Sequence, residues 1–179
     1  MIRRMLSLWN LLGVLVLAVG LWAFWASGNT TVSNAVNLPS EDQKAKPGPK
    51  ALRLYFADPS GEKFIVETRT VELGPDEEVH NRALAELLKG PQVQGANPVV
   101  SPGLPVPTVF LRDNLAYVDL PAAYGRLGLG TTGEVMLVYG LAYTLLDFSD
   151  VQGVRFLLDG KEIDSLGHLS LLEPIRRPQ

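Results

Sequence analysis

The 179-residue sequence contains no cysteine. That absence excludes a disulfide framework, a thiolate metal site and a lipid-modified cysteine, although it does not fix the compartment. Histidine is almost as scarce, His80 and His168 being the only two, so metal or proton-transfer chemistry would have to centre on one or both. Clustered basic charge is missing as well. Arg3, Arg4, Lys44, Lys46 and Lys50 face only Glu41 and Asp42 in the first fifty residues, so with 16 basic and 19 acidic side chains overall the remainder is acidic. Binding a phosphate backbone needs grouped Lys and Arg, and no nucleic-acid partner is expected. Gly128, Gly130 and Gly133 are not followed by Gly-Lys-Ser/Thr and belong to no dinucleotide fingerprint, so they read as a connection and no cofactor is expected.

What is present begins with an apolar run. Met5 to Ala26 carries no charge, and at about 1.5 Å per helical residue it exceeds the roughly 30 Å hydrocarbon core of a bilayer. Arg3 and Arg4 precede it and the next basic residue is Lys44, a bias that holds the N-terminus in the cytoplasm and sends the rest across. All three tryptophans lie here, Trp9 near the inner end and Trp22 with Trp25 at the outer end, where an indole keeps its ring in the boundary layer and its N–H near water. The expectation is a single-pass membrane anchor over 1–28. The alternative is a signal peptide cleaved near Ala26-Ser27-Gly28, against which stand the length of the run and the bulk of Trp22, Phe24 and Trp25. Either way the rest is exported. Residues 29–50 are polar and punctuated by Pro and Gly, a flexible tether with too little apolar surface to fold.

Residues 51–179 alternate strand and helix signals. Ala51 to Phe56 and Lys63 to Leu73 flank Asp58-Pro59-Ser60-Gly61, a first hairpin. Gly74-Pro75 opens a helix with Asp76, Glu77 and Glu78 in its first turn, closed by Lys89-Gly90-Pro91. Its buried face is expected to hold Val79, Ala83, Leu84, Leu87 and Leu88. Thr108 to Leu111 and Ala116 to Leu120 form a second hairpin around Arg112-Asp113-Asn114, and Val154 to Leu158 with Lys161 to Ile163 a third around Asp159-Gly160. Between them a helix runs from about Thr132 to Phe148, and Thr131-Thr-Gly-Glu134 has the spacing of a reciprocal capping box. The fold class is α+β, antiparallel hairpins packed with two helices.

Several segments, in this order, resemble the GerMN domain of sporulation and spore-germination proteins: Leu54-Tyr-Phe-Ala-Asp58, Glu67-Thr-Arg69, Ala83 to Pro91, Ala116-Tyr-Val-Asp-Leu120, the run from Gly140, Phe156-Leu-Leu-Asp-Gly160 and Leu166-Gly-His168. The resemblance implies a small domain of the ring-building type, exported, tethered by a membrane or lipid anchor, and without established catalysis. This chain differs in having one copy rather than a tandem pair and in lacking the cysteine of a lipoprotein anchor.

Catalytic and metal sites are not expected. His80 reads as an exposed residue beside Glu77, and His168 with Asp164 and Ser165 lacks the orienting fold and oxyanion site of a triad. Glu67 with Glu72, or Asp147 with Asp150, would supply the two carboxylates of a glycan hydrolase, but they read as solvated charges, and Arg69 reads as an ion-pair partner of Glu67. The helix from Val135 to Phe148 is apolar around its whole circumference, so it is either wrapped on several sides or partly a docking surface. Met136, Leu137 and Tyr143 are its candidate interaction residues, together with open sheet edges. The function expected is a membrane-tethered extracytoplasmic module that assembles with envelope proteins or with itself; the alternative is an accessory or weak peptidoglycan hydrolase.

Overall fold

In the computed structural model the described residues are 48–177, together with Leu15, Leu17, Ala18, Val19 and Trp22. The chain divides into two compact units, Met1–Ser40 and Glu41–Gln179. The five described residues of the first are helical and exposed. The rest of the expected anchor, with Trp9 and Trp25, and residues 29–47 of the expected tether lie outside the described residues. Among the described residues no helix is long and apolar enough to cross a membrane.

The second unit opens with an antiparallel hairpin of β1 (Gly48–Ala57) and β2 (Phe64–Leu73). Strand β1 therefore begins inside the stretch expected to be tether. Its alternation buries Leu52, Leu54 and Phe56 and turns Arg53 outward. At the tip the Asp58 carboxylate accepts the Ser60 hydroxyl and the Lys63 and Glu62 N–H groups. The Ser60 bond, followed by that from Lys63, holds its pKa down at about 2. Helix α1 spans Val79–Leu88, starting later than expected. Asp76 to Glu78 precede it, because Glu77 is spent on a turn: its carboxylate accepts the Gly74 N–H and its own N–H donates to the Gly74 carbonyl. The buried stripe is His80, Ala83, Leu84 and Leu87, the i, i+3, i+4, i+7 face of a helix.

Strands β3 (Thr108–Arg112) and β4 (Leu115–Leu120) form the second hairpin. Its two turn residues, Asp113 and Asn114, have φ of 51° and 60°, the left-handed pair a tight two-residue hairpin demands. A 3₁₀ turn (Ala122–Arg126) leads to helix α2 (Gly130–Leu146), then β5 (Gly153–Leu158) and the short β6 (Lys161–Glu162). β6 returns antiparallel to β5, but β5 pairs parallel to β4, giving a four-stranded sheet in the order β3-β4-β5-β6. The sheet is thus mixed rather than a set of antiparallel hairpins. A helix between two strands carries the chain back to its starting end, which is the connection parallel pairing requires.

Helix α2 packs against β1, α1 and β5, and Leu137, Val138, Leu141, Ala142 and Leu145 are wholly buried. Its all-round apolar character is thus the signature of a helix wrapped on several sides. It lies along the outer edge of β1, where the Tyr55 N–H donates to Thr144 Oγ1 at 3.2 Å. Gly140 makes that approach workable: a Cβ there would sit 3.1 Å from the Tyr55 carbonyl oxygen and 2.6 Å from Val99 Cγ1. The expected capping box does not form, since no side chain caps α2. Glu134 is instead 4% exposed and accepts the N–H groups of Leu166, His168 and Leu169 at 3.2, 2.8 and 3.0 Å. One carboxylate thereby fastens the segment after β6 to the helix.

Candidate interaction surface

The structure separates the three helix residues expected at a surface. Met136 is 6% exposed and Leu137 fully buried, so neither presents a docking surface; this corrects the sequence reading, and the cause is the wrapping just described. Tyr143 is half-buried at the edge of that wrapping. It joins Tyr139 of α2, Tyr55 of β1 and Phe64 of β2 in one aromatic patch. Tyr143 lies 5.4, 5.7 and 5.5 Å from the Tyr139, Tyr55 and Phe64 rings, in tilted and edge-on contacts. Tyr55 and Phe64 meet edge-on at 6.3 Å. Burial, then the neighbouring Tyr139, raises the Tyr143 hydroxyl above its ordinary pKa. At one end the Tyr55 hydroxyl donates to Asp147 at 2.9 Å. Asp147 also pairs with Arg53 at 3.4 Å and with Arg177, and the Arg53 guanidinium stands 5.9 Å from the Tyr55 ring. Such a patch offers flat apolar area and phenol hydroxyls, the chemistry of protein contact. Sequence reasoning missed it because its rings come from three elements, and the outward phase of Tyr55 along β1 was the one visible signal.

Several sheet edges are closed in part. On β1, Thr144 takes the Tyr55 N–H and Asn97 exchanges backbone bonds of 3.1 and 2.7 Å with Ala57. On β3, the Asn81 side-chain amide acts as a substitute strand, accepting the Val109 N–H at 2.8 Å and donating to its carbonyl at 3.4 Å. Beyond β6, Ile175 exchanges backbone bonds with Val154. The outer edge of β2 is different. Tyr55 and Ala57 direct their backbone groups away from β2, so by the alternation of an antiparallel ladder Phe64, Val66, Thr68, Thr70 and Glu72 direct theirs outward. Among the described residues no hydrogen bond reaches those outward groups.

The candidate catalytic groups are engaged in structure. His80 is buried rather than exposed, with Nε2 3.2 Å from Asp150 Oδ1 and its ring edge-on to Phe148 at 4.6 Å. His168 is exposed and held through its backbone N–H, and Ser165 Oγ accepts the Gly167 N–H. Arg69, 8% exposed, donates to Glu67 at 2.6 and 3.1 Å, to the Glu86 carboxylate at 3.1 Å, and to the Glu86 and Gly90 carbonyls. Glu67 also accepts the Gln92 and Val93 N–H groups, and Glu86 pairs with Arg82 and Lys89. Burial pushes both carboxyls up, but the Gln92 N–H and Arg69 on Glu67, and Lys89 and Arg69 on Glu86, outweigh it and leave both below the usual range. Arg69 is thus a structural ion-pair partner, as its spacing from Glu67 suggested. Glu67 and Glu72 fall on opposite faces of β2, and Asp147 and Asp150 each serve a cation or histidine, so neither pair frames a scissile bond. Among the described residues no group of His, Asp and Glu side chains is placed to hold a metal ion.

Solved structures share this architecture. The tandem GerMN domains of the sporulation protein GerM from Bacillus subtilis align over 73% of this chain and 47% of theirs, with 22% identity and a TM-score of 0.59. The first GerMN domain of the same protein aligns over 72% of this chain and 98% of its own length, with 22% identity and a TM-score of 0.57. This chain therefore spans about half of the tandem structure, and at that identity the likeness is one of fold. No curated protein matches the sequence. Residues 53–164, well over half of the sequence, match the family described as Germane, sporulation and spore germination. That stretch runs from β1 through both helices to just past β6, and the chain belongs to this family, carrying a GerMN-type domain.

Proposed function

We propose that this protein is a membrane-tethered, extracytoplasmic interaction module of the bacterial cell envelope, similar in role to GerMN proteins of sporulation and germination. The observation that carries the reading is the aromatic patch of Tyr55, Phe64, Tyr139 and Tyr143, which offers contact area and converges on no nucleophile, acid–base pair or metal site. A chain of this kind acts by holding other chains. The anchor from Met5 to Ala26 and the polar stretch behind it would confine the domain to one membrane face, where raised local concentration lets weak contacts suffice. No enzymatic activity is assigned: Glu67, Glu86, Glu134 and Asp147 all serve ion pairs or backbone N–H groups.

The test is topological and chemical together. N-terminal sequencing of the native protein should find Met5 to Ala26 retained, and protease added outside spheroplasts should digest the domain. A mature chain starting near Asn29 would overturn the anchor, and a protected domain would overturn export. Digestion of peptidoglycan by the purified protein, abolished by Glu67→Gln or Asp147→Asn, would restore the hydrolase reading.

A further inference from the structure

We propose that the proline ridge from Leu104 to Pro107 in one copy of this chain docks on the aromatic patch of a second copy, joining copies head to tail. The proposal rests on the assembly reading above and goes further by naming the partner and both surfaces. From Pro91 to Leu111 the sequence carries no charged side chain, and part of that run is on the surface: Pro105 is exposed and Val106 is 44% exposed. The prolines fix its shape. Pro105 and Pro107 hold their own φ at about −65°, and each bars the helical region to the residue before it, Leu104 and Val106. The segment is thereby held to the polyproline II form, which repeats about every three residues. Burial follows that repeat, with Leu104 half-buried against the core and Pro107 buried while Pro105 and Val106 face out. The Tyr124 hydroxyl donates to the Pro105 carbonyl at 3.0 Å and fixes the ridge to the 3₁₀ turn, and Pro107 leads directly into β3. A ridge so held loses little conformational entropy on binding.

The occupant follows from chemistry already on the molecule. Stiff proline segments are recognised by aromatic surfaces, whose rings take a proline and its apolar neighbour without any charge. The patch of Tyr55, Phe64, Tyr139 and Tyr143 is such a surface. It is uncharged, as the ridge is, and Arg53 and Arg177 at its end are paired with Asp147. A charged segment laid over those rings would have its charge desolvated without a partner, so charge selects an uncharged one. Among the described residues the Tyr139 and Tyr143 hydroxyls hold no hydrogen bond, which leaves two phenol donors for the carbonyls of a polyproline II segment, whose backbone makes no hydrogen bonds of its own. Ridge and patch are separate surfaces, since the 3₁₀ turn and β3 that hold the ridge carry none of the four rings. Each copy therefore offers both, the contact is heterologous, and association continues beyond a pair. Two outward side chains make a weak contact, and confinement of tethered copies to one membrane face compensates for that weakness.

Val106→Asp sets a charge on the ridge and Tyr143→Lys sets one on the patch. When the full-length protein is crosslinked in intact cells, the unsubstituted chain should give a homotypic ladder. Each variant alone should lose it, while the thermal unfolding transition of Val106→Asp stays in place. Co-expressed, the two variants should give dimers without a ladder, because the intact ridge of one meets the intact patch of the other. The absence of native cysteine allows a second measurement that keeps all four rings. Lys63→Cys, beside Phe64, in one copy and Val106→Cys in another, both at exposed positions, should be joined by a short bismaleimide. Val93→Cys, also exposed and in the same uncharged run, should not be joined to Lys63→Cys. A ladder that persists in Val106→Asp, no dimer on mixing the two variants, or equal bismaleimide yield from Val93→Cys and Val106→Cys overturns the ridge contact. Heterotypic bands without homotypic ones in the unsubstituted protein overturn it and leave the assembly reading standing; monomer alone removes both.

Discussion

Removing the Glu134 carboxylate should destabilise the domain well beyond the loss of a helix cap. Glu134→Ala leaves the Leu166, His168 and Leu169 N–H groups without their acceptor. Hydrogen bonds to a charged group contribute about 1.5–3 kcal/mol each in net terms. Leu166 and Leu169 are half-buried and His168 exposed, so water recovers part of that, and the expected cost is about 2–4 kcal/mol. A cap alone would cost about 1 kcal/mol. Glu134→Gln separates the two oxygens' roles. One oxygen serves Leu166 and Leu169 and the other serves His168, so an amide retains the first pair, sets an N–H donor against His168, and should cost about half as much. Urea unfolding gives the magnitude, and hydrogen exchange at the three amides gives the place, because a released loop opens locally before the core does. A Glu134→Ala cost near 1 kcal/mol with unchanged exchange at Leu166, His168 and Leu169 would refute the reasoning.

Gly140→Ala should destabilise by about 1–2 kcal/mol despite alanine's better helix propensity, because its Cβ meets Val99 Cγ1 at 2.6 Å and the Tyr55 carbonyl at 3.1 Å; thermal melting measures it. Glu67 and Glu86 have folded pKa values below the ordinary 4.5, so their stabilisation is complete above that value and is lost as the pH falls through the lowered ones. Arg69→Met should cost about 3–5 kcal/mol at neutral pH by leaving buried Glu67 without its cation and Glu86 with only Arg82 and Lys89, and should flatten the acid limb of a stability–pH curve. Leu15→Asp with Val16→Asp should shift the protein out of the membrane fraction, each central aspartate costing about 2.5–3.5 kcal/mol on insertion.

Local structure was legible where local chemistry decides it. Asp58 to Gly61, Asp113-Asn114 and Asp159-Gly160 announced their turns because few residues tolerate those backbone angles, and strand alternation did the rest. The apolar circumference of α2 beyond Glu134 likewise offered two readings, a helix wrapped on several sides or a docking surface, and the first of them holds for most of it. Long-range partners were not legible. The spacing from Thr131 to Glu134 promised a local cap, yet Glu134 turned to backbone N–H groups more than thirty residues away. His80 was misread although the signal was present: it falls three, four and seven positions before Ala83, Leu84 and Leu87, on the core face itself. The parallel pairing of β4 with β5 was also implied by the helix between them. Met136 and Leu137 stood as candidates for a surface because periodicity cannot say which side of an all-apolar helix stays bare. The aromatic patch depends on three elements meeting, which no single window contains.

Crosslinking of the full-length protein in intact cells tests the central claim most directly. The account predicts higher-mass bands containing this chain, with Tyr143→Lys weakening any band that depends on the aromatic patch while the protein remains folded. Monomer alone, with neither homotypic nor heterotypic bands across crosslinkers of different reach, would contradict it.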